Sequence, residues 1–155
     1  MAKMIDEKPS FKGEGKVWNK LSEYLPSDMV VYNQREINGR EYDFCVMAEN
    51  LGIVVIEVKG WLAERIIVNG VDNIDVEGYE KPQTSPKKQA RAYRFAILNK
   101  ISEKYNVSPL VLDMVCYPFI SKAEYESSRL DIVSEEQYTI FKEDLEDCER
   151  LNNKI

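Results

Sequence analysis

Histidine is absent from this 155-residue chain, and its absence excludes several kinds of active site. Hydrolases that depend on a histidine base, acid–base catalysis by imidazole and metal sites with histidine ligands cannot be built from this polypeptide alone. Any hydrolysis must therefore rest on carboxylates, lysine and a metal ion held by oxygen atoms. Mg²⁺ suits such ligands best, and Mn²⁺ can substitute for it.

Cysteine is scarce, and long hydrophobic runs are absent. The three cysteines, Cys45, Cys116 and Cys148, form no Cys-x-x-Cys pair, so neither a disulfide framework nor a zinc site is indicated. Cys45 and Cys116 lie in apolar runs, which predicts buried small side chains rather than catalytic thiols. Because there is neither a membrane-spanning run nor a signal-peptide pattern, we expect a soluble, cytoplasmic protein.

The net charge of −6 is unevenly distributed along the chain. Residues 121–155 carry five Lys and Arg against ten Asp and Glu, whereas residues 1–120 carry sixteen against seventeen. The length suits one domain, and we expect a core over about residues 10–120 followed by an acidic helical tail over 121–155. A nearly neutral core can bind phosphate locally, although tight binding of nucleic acid by this domain alone is not expected.

Residues 53–61, with the sequence IVVIEVKGW, are the stretch around which the chain is organised. The apolar run predicts a buried central strand, and because side chains alternate along a strand, Glu57 and Lys59 project from the same face. Residues 41–47 predict a second strand. A hairpin between the two pairs residues whose numbers sum to about 100 or 101, which sets Asp43 opposite Glu57 or one place off. Two carboxylates and a lysine thus converge at one end of adjacent strands.

Hydrophobic spacing and turn residues predict the remaining elements. These are a helix at residues 12–24 capped by Ser10, strands at 29–37, 40–48 and 53–58, a hairpin at 65–71, a loop at 72–85, a helix at 86–105, a strand at 110–119, a short helix at 121–126, and a helix at 134–151 with a Ser134–Gln137 capping box. The order predicts an α/β fold with an αβββαβ core, in which helices flank a mixed central sheet.

Polar residues on the two predicted helices could face the same end of the sheet. Glu14 extends the apolar stripe of the first helix, although a glutamate in a first turn also suits the helix dipole. Gln89 begins the row of the second helix that is predicted to be buried. Lys87, Lys88 and Arg91 surround that helix end, where they could contact DNA phosphates or form a solvated face.

An aspartate followed about a dozen residues later by Glu-x-Lys on a hydrophobic strand resembles the PD-(D/E)XK nuclease superfamily. More narrowly, the chain resembles the nuclease-related domain (NERD) family over about residues 13–119. The motifs that carry this resemblance are GE at 13–14, EVKGW at 57–61 and SPKKQ at 85–89. The resemblance implies a restriction-endonuclease-like fold and a Mg²⁺-dependent phosphodiesterase acting on nucleic acid, with DNA favoured over RNA.

The same resemblance implies roles for the residues of the central strands. Asp43, Glu57 and the backbone carbonyl of Val58 would bind Mg²⁺, and Lys59 would orient or help to deprotonate the attacking water.

Two further catalytic roles are implied for Glu14, which would hold Lys59 or the water of a second metal ion, and for Gln89, which would position the nucleophile or a phosphate oxygen. The alternative is structural: Glu57 and Lys59 would then be a same-face ion pair, and Asp43 a surface residue near a turn.

Other classes of function stay open at this point. The acidic charge and short length favour a catalytically idle nuclease-like module that binds DNA or a partner, and a role in RNA processing is a weaker third option. Parts of the region from 115 to 145 resemble the segment that leads into a superfamily one helicase in some NERD proteins. We therefore expect a DNA-processing parent protein with a helicase or ATPase module in the same polypeptide, and no membrane partner.

Overall fold

The structure is a computed structural model and describes residues 1–37, 39–48, 52–105 and 109–155. Its regular elements, in chain order, are β1 (Lys3–Met4), α1 (Lys12–Tyr24), β2 (Met29–Ile37), β3 (Arg40–Ala48), β4 (Gly52–Val58), β5 (Ile66–Val68), β6 (Asn73–Val76), β7 (Gln83–Thr84), α2 (Pro86–Tyr105), β8 (Val111–Cys116), α3 (Lys122–Ser127), β9 (Thr139–Ile140) and α4 (Cys148–Lys154). None of the described helices is both long and apolar enough to cross a membrane.

Six strands form one mixed sheet, in the order β1, β2, β3, β4, β8, β9. The pairs β2–β3 and β3–β4 are antiparallel, whereas β1, β8 and β9 each join a neighbour in the parallel direction. β4 lies in the interior of this sheet, which explains why a β-branched strand from Ile53 to Val58 is buried along its whole length. The predicted α/β fold and its αβββαβ order are confirmed.

The two long helices cover opposite faces of the sheet. Val17 and Leu21 of α1 share a core cluster with Ile56. Ile97 of α2 shares another cluster with Val55. Because neighbouring residues of a strand point to opposite faces, these contacts place α1 and α2 on either side of β4.

A small second sheet replaces the predicted loop at residues 72–85. β5, β6 and β7 pair in that order, so the hairpin at 65–71 continues into a third strand. In β6 the residues alternate between exposed and buried, with Ile74 and Val76 inward, and this two-residue period overrides the polar composition of the segment. Trp61 packs in the same cluster as Ile74 and Val76, which ties the small sheet to the end of β4.

The predicted helix at residues 134–151 is wrong, although the C-terminal segment is helical in shorter pieces. 3₁₀ turns lie at Glu136–Tyr138 and Glu143–Glu146, separated by β9. Ser134 forms no capping box, because its hydroxyl is buried and is hydrogen-bonded to the hydroxyl of Tyr117. α4 begins instead after Asp147, whose carboxylate accepts the N–H groups of Glu149 and Arg150.

Several local predictions have mixed outcomes. The helices at 12–24 and 86–105 have the predicted bounds, and Cys45 and Cys116 are buried. Ser10 is not the cap of α1, since Phe11 occupies the cap position and provides no side-chain bond. The predicted turn residue Asn38 and the β3–β4 connection at 49–51 lie outside the described residues.

Candidate active site

The β3–β4 hairpin brings Asp43 and Glu57 together. Its pairs, from Ala48–Gly52 to Phe44–Ile56, all sum to 100, which is one of the two predicted registers. The pairing ends at Phe44 and Ile56, immediately before Asp43 and Glu57. Beyond that point Asp43 Oδ2 accepts a hydrogen bond from the backbone N–H of Val58 at 2.7 Å. In a regular β-ladder the N–H of Val58 would bond to a backbone carbonyl of β3. Here it bonds to the Asp43 side chain instead.

Glu57 and Lys59 form a buried ion pair on the continuation of β4. Lys59 Nζ lies 3.2 Å from Glu57 Oε1, and the exposed fractions of the two side chains are only 15% and 8%. Glu57 Oε2 is buried and has no hydrogen-bond partner among the described residues. Lys59 Nζ also lies 5.5 Å from the centre of the buried Trp61 ring. Glu57 Oε2 thus accepts no bond from a donor group of the described residues, and the Asp43 carboxyl group is close enough to share a hydrogen bond with Glu57.

Burial opposes ionisation of the two carboxylates. Burial, and next the neighbouring Glu57, raise the pKa of Asp43 to about 8, although the Val58 N–H acts in the opposite direction. Burial likewise raises the pKa of Glu57, against the effect of Lys59. Glu14 is close enough to raise both pKa values further. Because Lys59 is the one ion-pair partner of these two carboxylates among the described residues, a bound cation would stabilise their ionised forms.

The start of α1 brings Glu14 to the same place. A Cβ atom on Gly13 would lie 3.2 Å from the Cα of Gly60, so the lack of side chains there permits the helix to approach the end of β4. Glu14 Oε2 accepts a hydrogen bond from Gln34 Nε2 at 3.0 Å. Gln34 has a φ of 52°, in the left-handed region that residues other than glycine seldom adopt.

These groups line a cavity of about 650 Å³ between α1, the end of β4 and the small sheet. Glu14, Asp43, Glu57, Val58 and Lys59 all belong to its walls. The opposite wall comes from the small sheet and includes Arg65, Val76, Glu77, Tyr79 and Gln83. The cavity thus brings the two buried carboxylates together with the carboxylate of Glu14 and the ammonium group of Lys59, and its rim adds Lys12, Arg65 and Glu77.

Comparison with known families adds a decisive match: the model of the nuclease-related domain covers residues 9–118. The chain belongs to the nuclease-related domain family. The match spans the predicted core and the cavity, which confirms the resemblance found from the sequence and supports nuclease chemistry.

Comparison with solved structures and with curated proteins gives less. A repair endonuclease from Pyrococcus abyssi aligns with 87% of this chain and 48% of its own, at 13% sequence identity and a TM-score of 0.43. This nuclease-related domain therefore spans about half the length of that endonuclease. No curated protein matches the chain.

Gln89 is not among the residues that line the cavity of the nuclease-related domain. It begins α2's row towards Tyr93 and Ile97, which packs on the face of the sheet that carries Val55. Its Oε1 is buried and lacks a partner among the described residues. The Gln89 residue as a whole is half-buried, and its role at the site stays a prediction.

Lys87, Lys88 and Arg91 also lie away from this cavity. Lys87 forms a short ion pair with Glu135, and Lys88 Nζ lies 3.6 Å from Asp72. Arg91 and Lys87 line a separate, smaller cavity between α2 and β8. The paired charges agree with the alternative prediction, a solvated helix face stabilised by neighbouring acids.

Sequence reasoning missed Gln34 and the residues of the small sheet. Gln34 carried no signal, since a glutamine in an amphipathic strand is ordinary and its φ cannot be read from composition. The small sheet could have been found from the alternation of Ile74 and Val76, but the surrounding polar residues obscured it.

Proposed function

We propose that this nuclease-related domain hydrolyses phosphodiester bonds with the help of Mg²⁺ or Mn²⁺, and that its substrate is DNA. The observation that carries the proposal is the buried Asp43–Glu57 pair, which has an unpartnered oxygen and faces a cavity beside one lysine. Two carboxylates and a lysine with no imidazole nearby suit phosphodiester hydrolysis that depends on an oxygen-ligated cation.

The residues present fit a divalent cation. Within the described ranges no three Asp, Glu or Cys side chains group closely enough to hold a metal ion. The site would accordingly use Asp43, Glu57 and the carbonyl oxygen of Val58, completed by water, as Mg²⁺ usually retains several waters. A bound cation would neutralise the carboxylates and polarise the scissile phosphate.

The chain's own groups would then act as follows. Lys59, held by Glu57, would orient the attacking water and offset negative charge that develops on the phosphate. Glu14, fixed by Gln34, would accept a hydrogen bond from a water or from Lys59.

The test is cleavage of supercoiled plasmid and labelled single strands in Mg²⁺ or Mn²⁺ at low salt. Asp43→Asn and Lys59→Met should lose nearly all activity. Asp113→Asn is the matched control, because Asp113 is a mostly buried acid outside the cavity. Equal cleavage by all four proteins would reveal a contaminating nuclease and defeat the proposal. No cleavage by the parent chain would favour the idle nuclease-like module, and cleavage of RNA alone would change the substrate.

We also propose that the domain works in the cytoplasm within a DNA-processing protein that carries a helicase or ATPase module. The support is the sequence resemblance around residues 115–145 to helicase-linked members of the family. Determining the gene sequence around this segment tests the idea, and a reading frame without a motor domain would contradict it.

A further inference from the structure

A groove of about 340 Å³ runs along the outer side of α1 and is lined by positive charge. Its charged residues are Lys8, Lys12, Lys16 and Lys20, spaced four residues apart, and no Asp or Glu of the described segments lines it. Spacing of four places side chains on one face of a helix. We call this surface the lysine groove. In a chain with a net charge of −6, it is a local reversal of sign.

The lysines of this groove have no ion-pair partner in the described part of the chain, although Glu146 is near enough for its charge to act on Lys16. Lys87 and Lys88 on α2, by contrast, each have one. Lys16 Nζ donates to the carbonyl of Pro118 at 2.8 Å, and Lys20 Nζ to the hydroxyl of Tyr24 at 3.3 Å. These neutral acceptors position the ammonium groups without cancelling their charge.

Gly15 brings the segment before α1 into the groove. A Cβ atom on Gly15 would lie 3.3 Å from Lys8 Cε and 3.2 Å from the carbonyl oxygen of Pro9. Because Gly15 has no side chain, the segment can lie directly on the helix. Lys8 thereby extends the row beyond the first turn of α1.

Phe11 joins the lysine groove to the active-site cavity. It lines both surfaces, as Lys12 does, and 70% of its surface is exposed. An exposed ring between ammonium groups offers a stacking platform for an unpaired base, whereas an isolated phosphate ion would have no use for it. The groove and the cavity together form a continuous path with cations along its length and carboxylates at its end.

We propose that the lysine groove binds the sugar-phosphate backbone of a nucleic-acid single strand and leads it into the cavity, with one base stacked on Phe11. The inference deepens the proposed function and rests on it, since the strand in the groove is the substrate of the cavity. It assigns the phosphate contacts to the lysines before and on α1, in place of the predicted Lys87, Lys88 and Arg91 of α2.

The experiment measures binding of a fluorescent single-stranded oligonucleotide by anisotropy, in EDTA, over a series of low salt concentrations. Lys8→Gln/Lys12→Gln/Lys20→Gln should bind about tenfold more weakly and reduce the slope of log K against log salt by about 2, because three phosphate contacts are lost. Phe11→Ala should weaken binding about tenfold and leave the salt slope unchanged. The matched control, Lys87→Gln/Lys88→Gln/Arg91→Gln, removes the same charge and should bind as the parent does.

Three results would overturn the inference: no binding by the parent chain, a loss confined to the α2 variant, or equal losses in both triple variants. Polyphosphate that competes as well as the oligonucleotide, together with an unaffected Phe11→Ala, would also overturn it. Cleavage assays on the same proteins separate the two proposals. Binding that depends on the lysine groove, without any cleavage, would contradict the proposed hydrolysis and support the proposed binding surface. Cleavage with a KM that is unchanged in the Lys8→Gln/Lys12→Gln/Lys20→Gln variant would support hydrolysis and contradict the proposed binding surface.

Discussion

Two clusters of charged side chains flank the parallel strands β4 and β8, and they differ in whether their charges compensate. In the cavity, the buried carboxylates of Asp43 and Glu57 have one ion-pair partner among the described residues, Lys59, which lies 3.2 Å from Glu57. In the cluster between α2 and β8, each acid has its own cation. The pairs there are Arg94 with Asp113, at 3.3 Å, and Lys87 with Glu135.

The difference indicates which cluster serves the fold and which needs a ligand. In the α2 cluster, hydrogen bonding to Lys87 holds the pKa of Glu135 below its usual range, as expected of a satisfied surface pair. In the cavity, burial raises the pKa values of Asp43 and Glu57, and the neighbouring Glu57 adds to the rise at Asp43. Ionisation of both buried carboxylates is therefore unfavourable in the protein alone, and a bound cation would offset that cost. The predictions below test this difference between the charges of the cavity and those of the α2 cluster.

The largest expected effect is on binding of a divalent cation. Asp43→Asn should weaken Mn²⁺ or Mg²⁺ binding by about 100-fold or more, because it removes one of two carboxylate ligands. Asp113→Asn should bind the metal as the parent does. Isothermal titration calorimetry checks both. Equal affinities in the two variants would erase the distinction between the clusters.

The next effect is on stability as a function of pH in the absence of metal. Asp43 has a pKa of about 8 in the folded chain, above its unfolded value, so the folded state keeps a proton that the unfolded state loses. Stability should therefore fall as the pH rises through this window, by about 2 kcal/mol between about pH 6 and pH 8. Urea unfolding in EDTA measures this fall.

Asp43→Asn is the control for the pH experiment: it cannot ionise at this position and should reduce the slope, of which Glu57, whose pKa is also raised, retains a part. Asp113→Asn should retain the slope of the parent. Added Mn²⁺ should restore stability at the higher pH, because the cation binds the ionised carboxylates of the folded state. A parent chain that gains stability over the same range would contradict the raised pKa.

The hydrophobic pattern was sufficient to predict the four central strands of the sheet and its site end, although the edge strands β1 and β9 were not predicted. An unbroken apolar run identified β4, alternation located β3, and the sum rule for hairpins paired Asp43 with Glu57. The Asp43–Glu57 convergence is thus a consequence of local spacing and register. For the same reason the helices that cover the sheet had the predicted bounds.

Features that depend on tertiary partners escaped prediction. Ser134 looked like a helix cap, but in the structure its hydroxyl serves Tyr117 in the core. Lys87 and Lys88 looked free because Glu135 and Asp72 are distant in sequence. The four-residue spacing of the lysines on α1 was readable, yet only the fold shows that they have no ion-pair partner among the described residues.

The smallest expected effect concerns the backbone beside the cavity. The β2–β3 register skips Gln34 and Asp43, and Gln34 has a φ of 52°. Gln34→Gly and Gln34→Ala both lose the hydrogen bond to Glu14, but only glycine accepts this φ without strain. The glycine variant should therefore be more stable than the alanine variant by about 1 kcal/mol in urea unfolding.

Glu36 supplies the control, because it lies exposed on the same strand without a positive φ. There the order of stability should reverse. The Glu36→Ala variant should be more stable than the Glu36→Gly variant by about 0.5 kcal/mol in urea unfolding. The same order at both positions would mean that Gln34 is unstrained. Strain at Gln34, next to Asp43, would add a difference in backbone to the difference in charge. The α2 cluster would then contribute to stability, whereas the cavity and the strand beside it would combine unfavourable charge with an unfavourable φ, as functional sites often do.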